Sequence, residues 1–148
     1  MTTDRDAAAS GVPGPITILV LEDDDRDAEL LAARLELDGV QAVIVRAHDR
    51  LSFLRALGTG GLDLILSDYH LPSYDGHAAL ESARDLAPDV PFLFVSGAMG
   101  EEIAIESLKR GATDYVLKHR LERLGPAVRR ALSERANQRE RRRVEAER

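Results

Sequence analysis

The chain has 148 residues, 44% of them hydrophobic, with a formal net charge of -6 and no cysteine. This length suits one domain, and the apolar fraction suffices for a core, which excludes a wholly disordered chain. The charge argues against general binding to nucleic acid or anionic membranes, and the missing cysteines exclude disulfides and thiolate metal sites. No apolar run approaches the roughly 20 residues that span a bilayer, and the polar start lacks a signal-peptide core. We therefore predict a cytoplasmic protein without a membrane segment.

Residues 1–14 are small and polar, with Gly and Pro among them, and we interpret them as a flexible leader. Beyond this leader, short apolar runs alternate with helical patterns. Five apolar runs predict β-strands, at residues 16–21, 41–47, 62–67, 91–96 and 113–118. The runs are continuously apolar, which is typical of strands covered on both faces in a parallel sheet.

A helical pattern follows each predicted strand. The helices are expected at residues 26–37, 49–57, 77–86, 101–110 and from about 121 towards the C-terminus. Asp25 is the expected N-cap of the first helix, because its carboxylate can accept from a free backbone N–H group. An apolar stripe on the last helix should close the core. Five alternations of strand and helix predict an α/β fold with helices on both faces of a parallel sheet.

Polar side chains stand where the predicted strands end: Glu22 and Asp23, Asp68, Ser96 and Lys118. Ligands of open α/β sheets bind outside the carboxyl ends of the strands, where these side chains should converge. Clustered carboxylates need a cation, and oxygen ligands without His or Cys favour Mg²⁺ or Mn²⁺. A carboxylate can also accept a phosphoryl group whose charge a metal, an ammonium and a hydroxyl stabilise. Each residue alone fits an ordinary turn, cap or solvated side chain, but their combination favours a phospho-acceptor site at Asp68.

The segments around these residues carry a family resemblance, at residues 18–24, 67–76, 94–97 and 112–118. Over residues 15–132 the chain resembles the receiver domain of bacterial response regulators in two-component signalling. Such receivers are found alone or at the front of hybrid sensory kinases. The resemblance implies a flavodoxin-like (βα)5 fold, a doubly wound parallel five-stranded sheet in the order 2-1-3-4-5 with an extended C-terminal helix.

The resemblance also implies how the phosphoryl group is taken up. Asp68 is expected to accept it from a histidine kinase or a phosphotransfer protein. Glu22, Asp23, Asp68 and the backbone carbonyl of His70 are expected to hold Mg²⁺, or Mn²⁺ in its place. Lys118 is expected to pair with a phosphoryl oxygen. The protein would then be a phospho-acceptor that assists its own phosphorylation and dephosphorylation, not an enzyme acting on other substrates.

The resemblance further implies a conformational switch. Ser96 is expected to move and bond the phosphoryl group while Tyr115 swings inward behind it, because the added charge biases a two-state element. The signal would pass to a downstream protein or an output domain and not to DNA. His119 follows Lys118 where many receivers have Pro, and a non-proline cis bond costs roughly 3 kcal/mol, so this peptide is expected to be trans.

Residues 133–148 are rich in Arg and Glu and are good helix formers, but they lack a sustained apolar seam. We interpret them as a helical extension that is either solvated or a signalling helix leading to an output module. A homodimer through this helix, or through the face of the fourth helix, fifth strand and fifth helix, is a further hypothesis.

Two other functions stay open from the residues. The first is an aspartyl-phosphate phosphatase or mutase on a similar sheet. Such enzymes place a second Asp two residues after the nucleophile, and His70 at that position counts against this interpretation. The second is a constitutive pseudo-receiver that binds partners without phosphorylation. The intact set of Asp23, Asp68, Ser96 and Lys118 argues against it.

Overall fold

The computed structural model describes residues 14–147, so the predicted leader lies almost wholly outside the described residues. Strands and helices alternate through this part of the chain. The strands are β1 (Ile16–Leu21), β2 (Ala42–Ala47), β3 (Leu64–Ser67), β4 (Phe92–Ser96) and β5 (Asp114–Leu117). The helices are α1 (Asp25–Leu37), α2 (Arg50–Thr59), α3 (Gly76–Leu86), α4 (Glu101–Lys109) and α5 (Leu124–Ala146), with a 3₁₀ segment at Lys118–Arg123.

The five strands form one parallel sheet in the order β2-β1-β3-β4-β5. This order confirms the expected doubly wound topology. The register pairs Leu21 with Ala47 on one side and with Ser67 on the other, and Ser96 with Leu117. Consequently β1, β3, β4 and β5 all end at one edge of the sheet, where the residues that follow them can meet.

Two apolar clusters cover the two faces of the sheet because successive strand residues point to opposite sides. Ile18 and Val20 of β1 face α1 and α5, whereas Leu19 and Leu21 face α2 and α3. Phe53 of α2 is fully buried in the second cluster. Burial on both faces explains why the strands are continuously apolar in the sequence.

Two local expectations were wrong. The N-cap of α1 is Asp24 and not Asp25, because Asp24 keeps an extended backbone and its side chain accepts from the backbone N–H of Asp27 at 3.0 Å. The last α-helix begins at Leu124 and not near residue 121, because residues 118–123 form a 3₁₀ segment that the non-helical angles of Arg120 (φ -131°, ψ 46°) interrupt. The peptide bond before His119 is trans, as expected.

Helix α5 continues through residue 133 without a break, and its second half contacts the domain. Arg135 Nη1 donates to the carbonyls of Leu62 and Asp63 at 3.3 and 3.1 Å. Arg142 Nη1 donates to Asp89 Oδ1 at 2.6 Å. The predicted boundary at residue 132 therefore falls inside one helix, and the division into domain and extension stays a prediction.

Candidate functional site

The candidate site lies at the edge of the sheet where β1, β3, β4 and β5 end. Glu22 and Asp23 follow β1, Asp68 follows β3, Ser96 is the last residue of β4, and Lys118 follows β5. The backbone N–H of Asp68 donates to the carbonyl of Leu21 at 2.9 Å. This bond places the loop of residues 68–75, which holds the expected phospho-acceptor and is called the acceptor loop below, beside the acidic pair. The parallel register thus gathers side chains that are almost a hundred positions apart in sequence.

Three carboxylates form a compact group at this edge. Glu22, Asp23 and Asp68 each offer an oxygen, and these oxygens all lie within 4.8 Å of one another. Glu22 is 1% exposed and Asp68 is 8% exposed, whereas Asp23 faces solvent. Like charges this close repel each other strongly, so the group is suited to a hard divalent cation with oxygen ligands.

Lys118 lies against this group and neutralises part of its charge. Its Nζ donates to Glu22 Oε1, to Asp68 Oδ2 at 3.0 Å and to Asp27 Oδ2 at 2.7 Å. Burial opposes the charged ammonium, but the three carboxylate bonds outweigh it and raise the pKa of Lys118. Lys118 is therefore a fixed cation beside the Asp68 carboxylate.

Burial raises the pKa of Glu22 to about 7, and the neighbouring charge of Asp68 adds to this effect. The bond from Lys118 and the backbone N–H of Asp24, 3.2 Å from Oε2, act in the opposite direction. The backbone carbonyl of Glu22 accepts from Arg46 Nε at 2.8 Å. Glu22 is thus held in place, and its burial disfavours the ionised form of its carboxyl group. A bound cation would stabilise that ionised form.

Asp27 is a residue of the site that the sequence analysis missed. It belongs to the first turn of α1, and its side chain is 35% exposed. Acidic residues in a first helical turn are normally explained by the helix dipole, so nothing distinguished Asp27 from Asp25. Its position in the first turn after the acidic pair places it near the same edge of the sheet, but this position does not indicate that its side chain reaches Lys118.

His70 belongs to the acceptor loop, and its side chain contacts the loop that follows Ser96. Its backbone N–H donates to Asp68 Oδ1 at 3.3 Å. Its side-chain Nε2 lies 2.7 Å from the carbonyl oxygen of Ala98, so Nε2 carries the proton and donates. Ser96 is buried, and its Oγ lies 3.5 Å from that same carbonyl oxygen. The His70 side chain therefore connects the acceptor loop to the loop that follows Ser96, a contact the sequence did not suggest.

Tyr115 lies apart from this cluster, on the surface. Its side chain lines a groove with Pro126, Ala127 and Arg130 at the start of α5, and the residue is 37% exposed. The expected inward movement of Tyr115 and the expected metal contact of the His70 carbonyl stay predictions.

The fold and the site together define a doubly wound α/β protein with an acidic, lysine-bearing site at the carboxyl edge of its sheet. The family model of the response regulator receiver domain matches residues 18–129. The chain belongs to this family. It therefore carries a receiver domain of two-component response regulators, a class whose members act as phospho-acceptors and work with histidine kinases and output domains.

Individual relatives agree with this assignment. The transcriptional regulatory protein ZraR of Salmonella typhimurium is 35% identical over 108 residues, 72% of this chain and 24% of that protein. NtrX from Brucella abortus has a similar structure, with a TM-score of 0.78 and 28% identity over 88% of this chain and 29% of that one. A response regulator from Burkholderia pseudomallei, solved with a phosphorylated aspartic acid, calcium and citrate, has a TM-score of 0.69 and 27% identity over 84% of this chain and 72% of that one.

The chain thus spans about a quarter of the length of ZraR. The phosphatase or mutase and the pseudo-receiver are not favoured by these relationships. None of the helices in the described part of the chain has the length and apolar character needed to cross a membrane.

Proposed function

We propose that Asp68 takes a phosphoryl group from a phosphohistidine of a kinase or phosphotransfer protein. One Asp68 carboxylate oxygen attacks phosphorus, the P–O bond forms, and the P–N bond breaks with its electron pair returning to the imidazole. The observation that carries this proposal is the contact of Asp68 Oδ2 with Lys118 Nζ at 3.0 Å, beside Glu22 and Asp23. A carboxylate with a fixed ammonium alongside it is suited to phosphoryl transfer, which depends on positioning and charge stabilisation.

The proposed cofactor is Mg²⁺, or Mn²⁺ in its place, held by Glu22, Asp23, Asp68 and the His70 backbone carbonyl. The donor set fits this ion because it consists only of oxygen atoms, and those of Glu22, Asp23 and Asp68 lie within 4.8 Å of one another. The burial that raises the pKa of Glu22 to about 7 also fits, since a bound cation stabilises the ionised form. When bound, the ion neutralises charge on the transferring phosphoryl oxygens.

The proposed readout uses Ser96 and Tyr115. Phosphorylation adds nearly two negative charges beside Ser96, whose hydroxyl makes only a long 3.5 Å contact with the Ala98 carbonyl. The hydroxyl is therefore free to donate to a phosphoryl oxygen. Movement of its loop would allow the exposed Tyr115 side chain to turn inward, which alters the surface formed by α4, β5 and α5.

The proposed downstream partner is a protein or an output domain, which contacts this surface. Ile105 and Leu108 of α4 are 47% and 41% exposed, and Tyr115 of β5 is 37% exposed. The net charge of -6 favours a protein over DNA as the partner. We also propose that the protein forms a homodimer, either through α5 or through this same surface. Its proposed location is the cytoplasm, and its receiver domain is proposed to end near residue 132.

The central experiment is phosphorylation by a small donor. The wild-type protein is incubated with Mg²⁺ and acetyl phosphate, and its intact mass is measured. We expect one phosphoryl adduct that disappears with Asp68→Asn and with EDTA. Asp75→Asn is the matched control, since Asp75 is an exposed carboxylate in the same loop and Asn can retain its capping bond to the His77 N–H. An unmodified wild type, or an adduct that survives Asp68→Asn, contradicts the proposal.

The dimer is tested separately by light scattering with and without beryllofluoride. The measurement compares the full chain with a chain that ends at Ser133. Dimerisation on addition of beryllofluoride that requires residues beyond Ser133 supports α5 as the interface. Dimerisation of both chains supports the α4, β5 and α5 surface, and monomers throughout contradict the dimer.

A further inference from the structure

The ammonium of Lys118 has three N–H groups, and three carboxylates occupy them. Two of these carboxylates, Glu22 and Asp68, belong to the acidic group at the strand ends. The third, Asp27, comes from helix α1 and lies outside that group. Asp27 Oδ2 is closer to Lys118 Nζ than Asp68 Oδ2 is, at 2.7 Å against 3.0 Å.

A phosphoryl group on Asp68 adds anionic oxygens beyond the carboxylate oxygen that Lys118 now contacts, and Lys118 Nζ must move towards them to donate to one. This movement weakens a contact with one of the other two carboxylates, Glu22 or Asp27. Glu22 is 1% exposed and also accepts from the Asp24 N–H, so its carboxylate is held in place and poorly reached by water. The Asp27 side chain is 35% exposed, and water can replace Lys118 as its partner. Breaking the contact between Lys118 and Asp27 therefore costs less free energy than breaking its contact with Glu22.

We propose that Asp27 is a positioning residue that competes with the phosphoryl group for Lys118. In the unphosphorylated protein it holds the ammonium beside Asp68. In the phosphorylated protein the movement of Lys118 towards a phosphoryl oxygen weakens this contact, which makes the phosphorylated state less stable than it would be without Asp27. This inference rests on the proposed function, because it concerns the stability of the phosphorylated form of Asp68.

The test is the affinity for beryllofluoride in the presence of Mg²⁺, measured by isothermal calorimetry. Asp27→Asn keeps the shape and the helix but removes the charge that attracts Lys118. We expect it to tighten binding about fivefold, the effect of losing one partly exposed charge pair. Asp27→Ala should change the affinity in the same direction, which covers the case in which the Asn variant folds poorly.

Asp25→Asn is the matched control. Asp25 lies in the same first turn of α1, and its loss changes the net charge equally. Its side chain is 88% exposed and pairs with Arg46 at 3.1 Å instead of Lys118. We expect this variant to bind beryllofluoride like the wild type.

Two further readouts separate competition for Lys118 from a general charge effect. In about 1 M salt the screening length is roughly 3 Å, so a long-range effect of Asp27 would vanish while the contact effect persists. The ¹⁵N resonance of Lys118 Nζ should shift in Asp27→Asn and not in Asp25→Asn.

Equal affinities for both Asn variants, a difference that disappears in high salt, or weaker binding by Asp27→Asn would overturn this inference. If wild type fails to bind beryllofluoride, or binding survives Asp68→Asn, the proposed function itself fails.

Discussion

His77 Nε2 lies 2.9 Å from the hydroxyl oxygen of Ser107, and this contact joins helix α3 to helix α4. The Ser107 hydroxyl donates its only proton to the carbonyl of Ile103 at 2.8 Å, so His77 must be the donor in the contact with Ser107. The His77 ring also packs edge-on against Tyr69, with centroids 5.1 Å apart. Tyr69 directly follows Asp68, so packed side chains connect the acceptor loop to α4.

Ser107→Ala should destabilise the protein by about 1 kcal/mol, because it removes a fully buried hydroxyl and leaves the His77 donor without a partner. Urea unfolding measures this change, and hydrogen exchange should show faster exchange in α4 than in the wild type. Ser133→Ala is the control, since it makes the same replacement at an exposed position of helix α5. If the two variants unfold at the same urea concentration, the contact between His77 and Ser107 contributes nothing to stability.

Replacement by Ala should lower the stability of the protein at Gly76 and raise it at Gly58. A Cβ atom at Gly76 would lie 2.7 Å from a Tyr69 ring carbon and 2.8 Å from the Tyr69 carbonyl oxygen, and that backbone cannot move freely. Overpacking of this kind typically destabilises by roughly 1–3 kcal/mol. A Cβ atom at Gly58, inside α2, meets nothing within 4 Å and should stabilise the helix by roughly 0.5–1 kcal/mol.

Thermal unfolding of the two glycine variants tests this pair. Because Tyr69 adjoins Asp68, Gly76→Ala should also slow labelling by acetyl phosphate, whereas Gly58→Ala should leave it unchanged. A Gly76→Ala protein as stable as the wild type would show that the acceptor loop relaxes easily.

Much of the site was predictable because parallel strands end at a common edge. Once five apolar runs predicted a parallel sheet, Glu22, Asp23, Asp68, Ser96 and Lys118 had to lie near one another. The strands themselves were predictable too, since burial on both faces leaves a continuous apolar run. The strand order itself came from family resemblance, because pattern alone does not order parallel strands.

The contacts of Asp27 and His70 could not be predicted, for a shared reason. Each depends on where a side chain points after its element has packed, and the sequence gives only the element. Asp27 reaches Lys118 because of the rotation of α1 about its axis, which the burial of Leu31 and Leu35 against the sheet sets. His70 reaches the Ala98 carbonyl because two loops approach each other.

Asp49 should make stability depend on pH in the acid range. Its Oδ1 accepts from the Ser52 hydroxyl at 2.6 Å and from the Ser52 backbone N–H at 2.8 Å, and these bonds lower the pKa of Asp49 below 3.8. A group with a depressed pKa stabilises the fold above its unfolded pKa and loses that contribution as the pH falls through the folded value. Wild type should therefore exceed Asp49→Asn in stability at neutral pH, and this advantage should shrink below pH 3.8.

Urea midpoints of the two proteins, measured from neutral to acid pH, give this difference directly. Ser52→Ala is the control, because it removes the hydroxyl bond and returns the pKa of Asp49 towards its ordinary value. A difference between wild type and Asp49→Asn that stays constant across the acid range would contradict the prediction.

Arg135 should stabilise the second half of α5 far more than Arg142 does. The Arg135 side chain is 11% exposed, and its Nη1 also lies 3.3 Å from Asp63 Oδ1, in addition to the two backbone carbonyls it contacts. Arg135→Met should destabilise the protein by about 2 kcal/mol, since charge-assisted bonds to partly buried acceptors are lost.

Arg142 is the matched comparison for Arg135, because both belong to α5 and both pair with an Asp of the domain. Arg142 and its partner Asp89 are 64% and 54% exposed, and a pair in solvent contributes little to stability. Arg142→Met should therefore unfold in urea at nearly the wild-type midpoint, while Arg135→Met unfolds well below it. Raising the salt concentration should weaken the Arg142 contact and leave the partly buried Arg135 contacts almost unchanged. Equal midpoints for the two variants would mean that α5 beyond residue 133 is not held against the domain through Arg135.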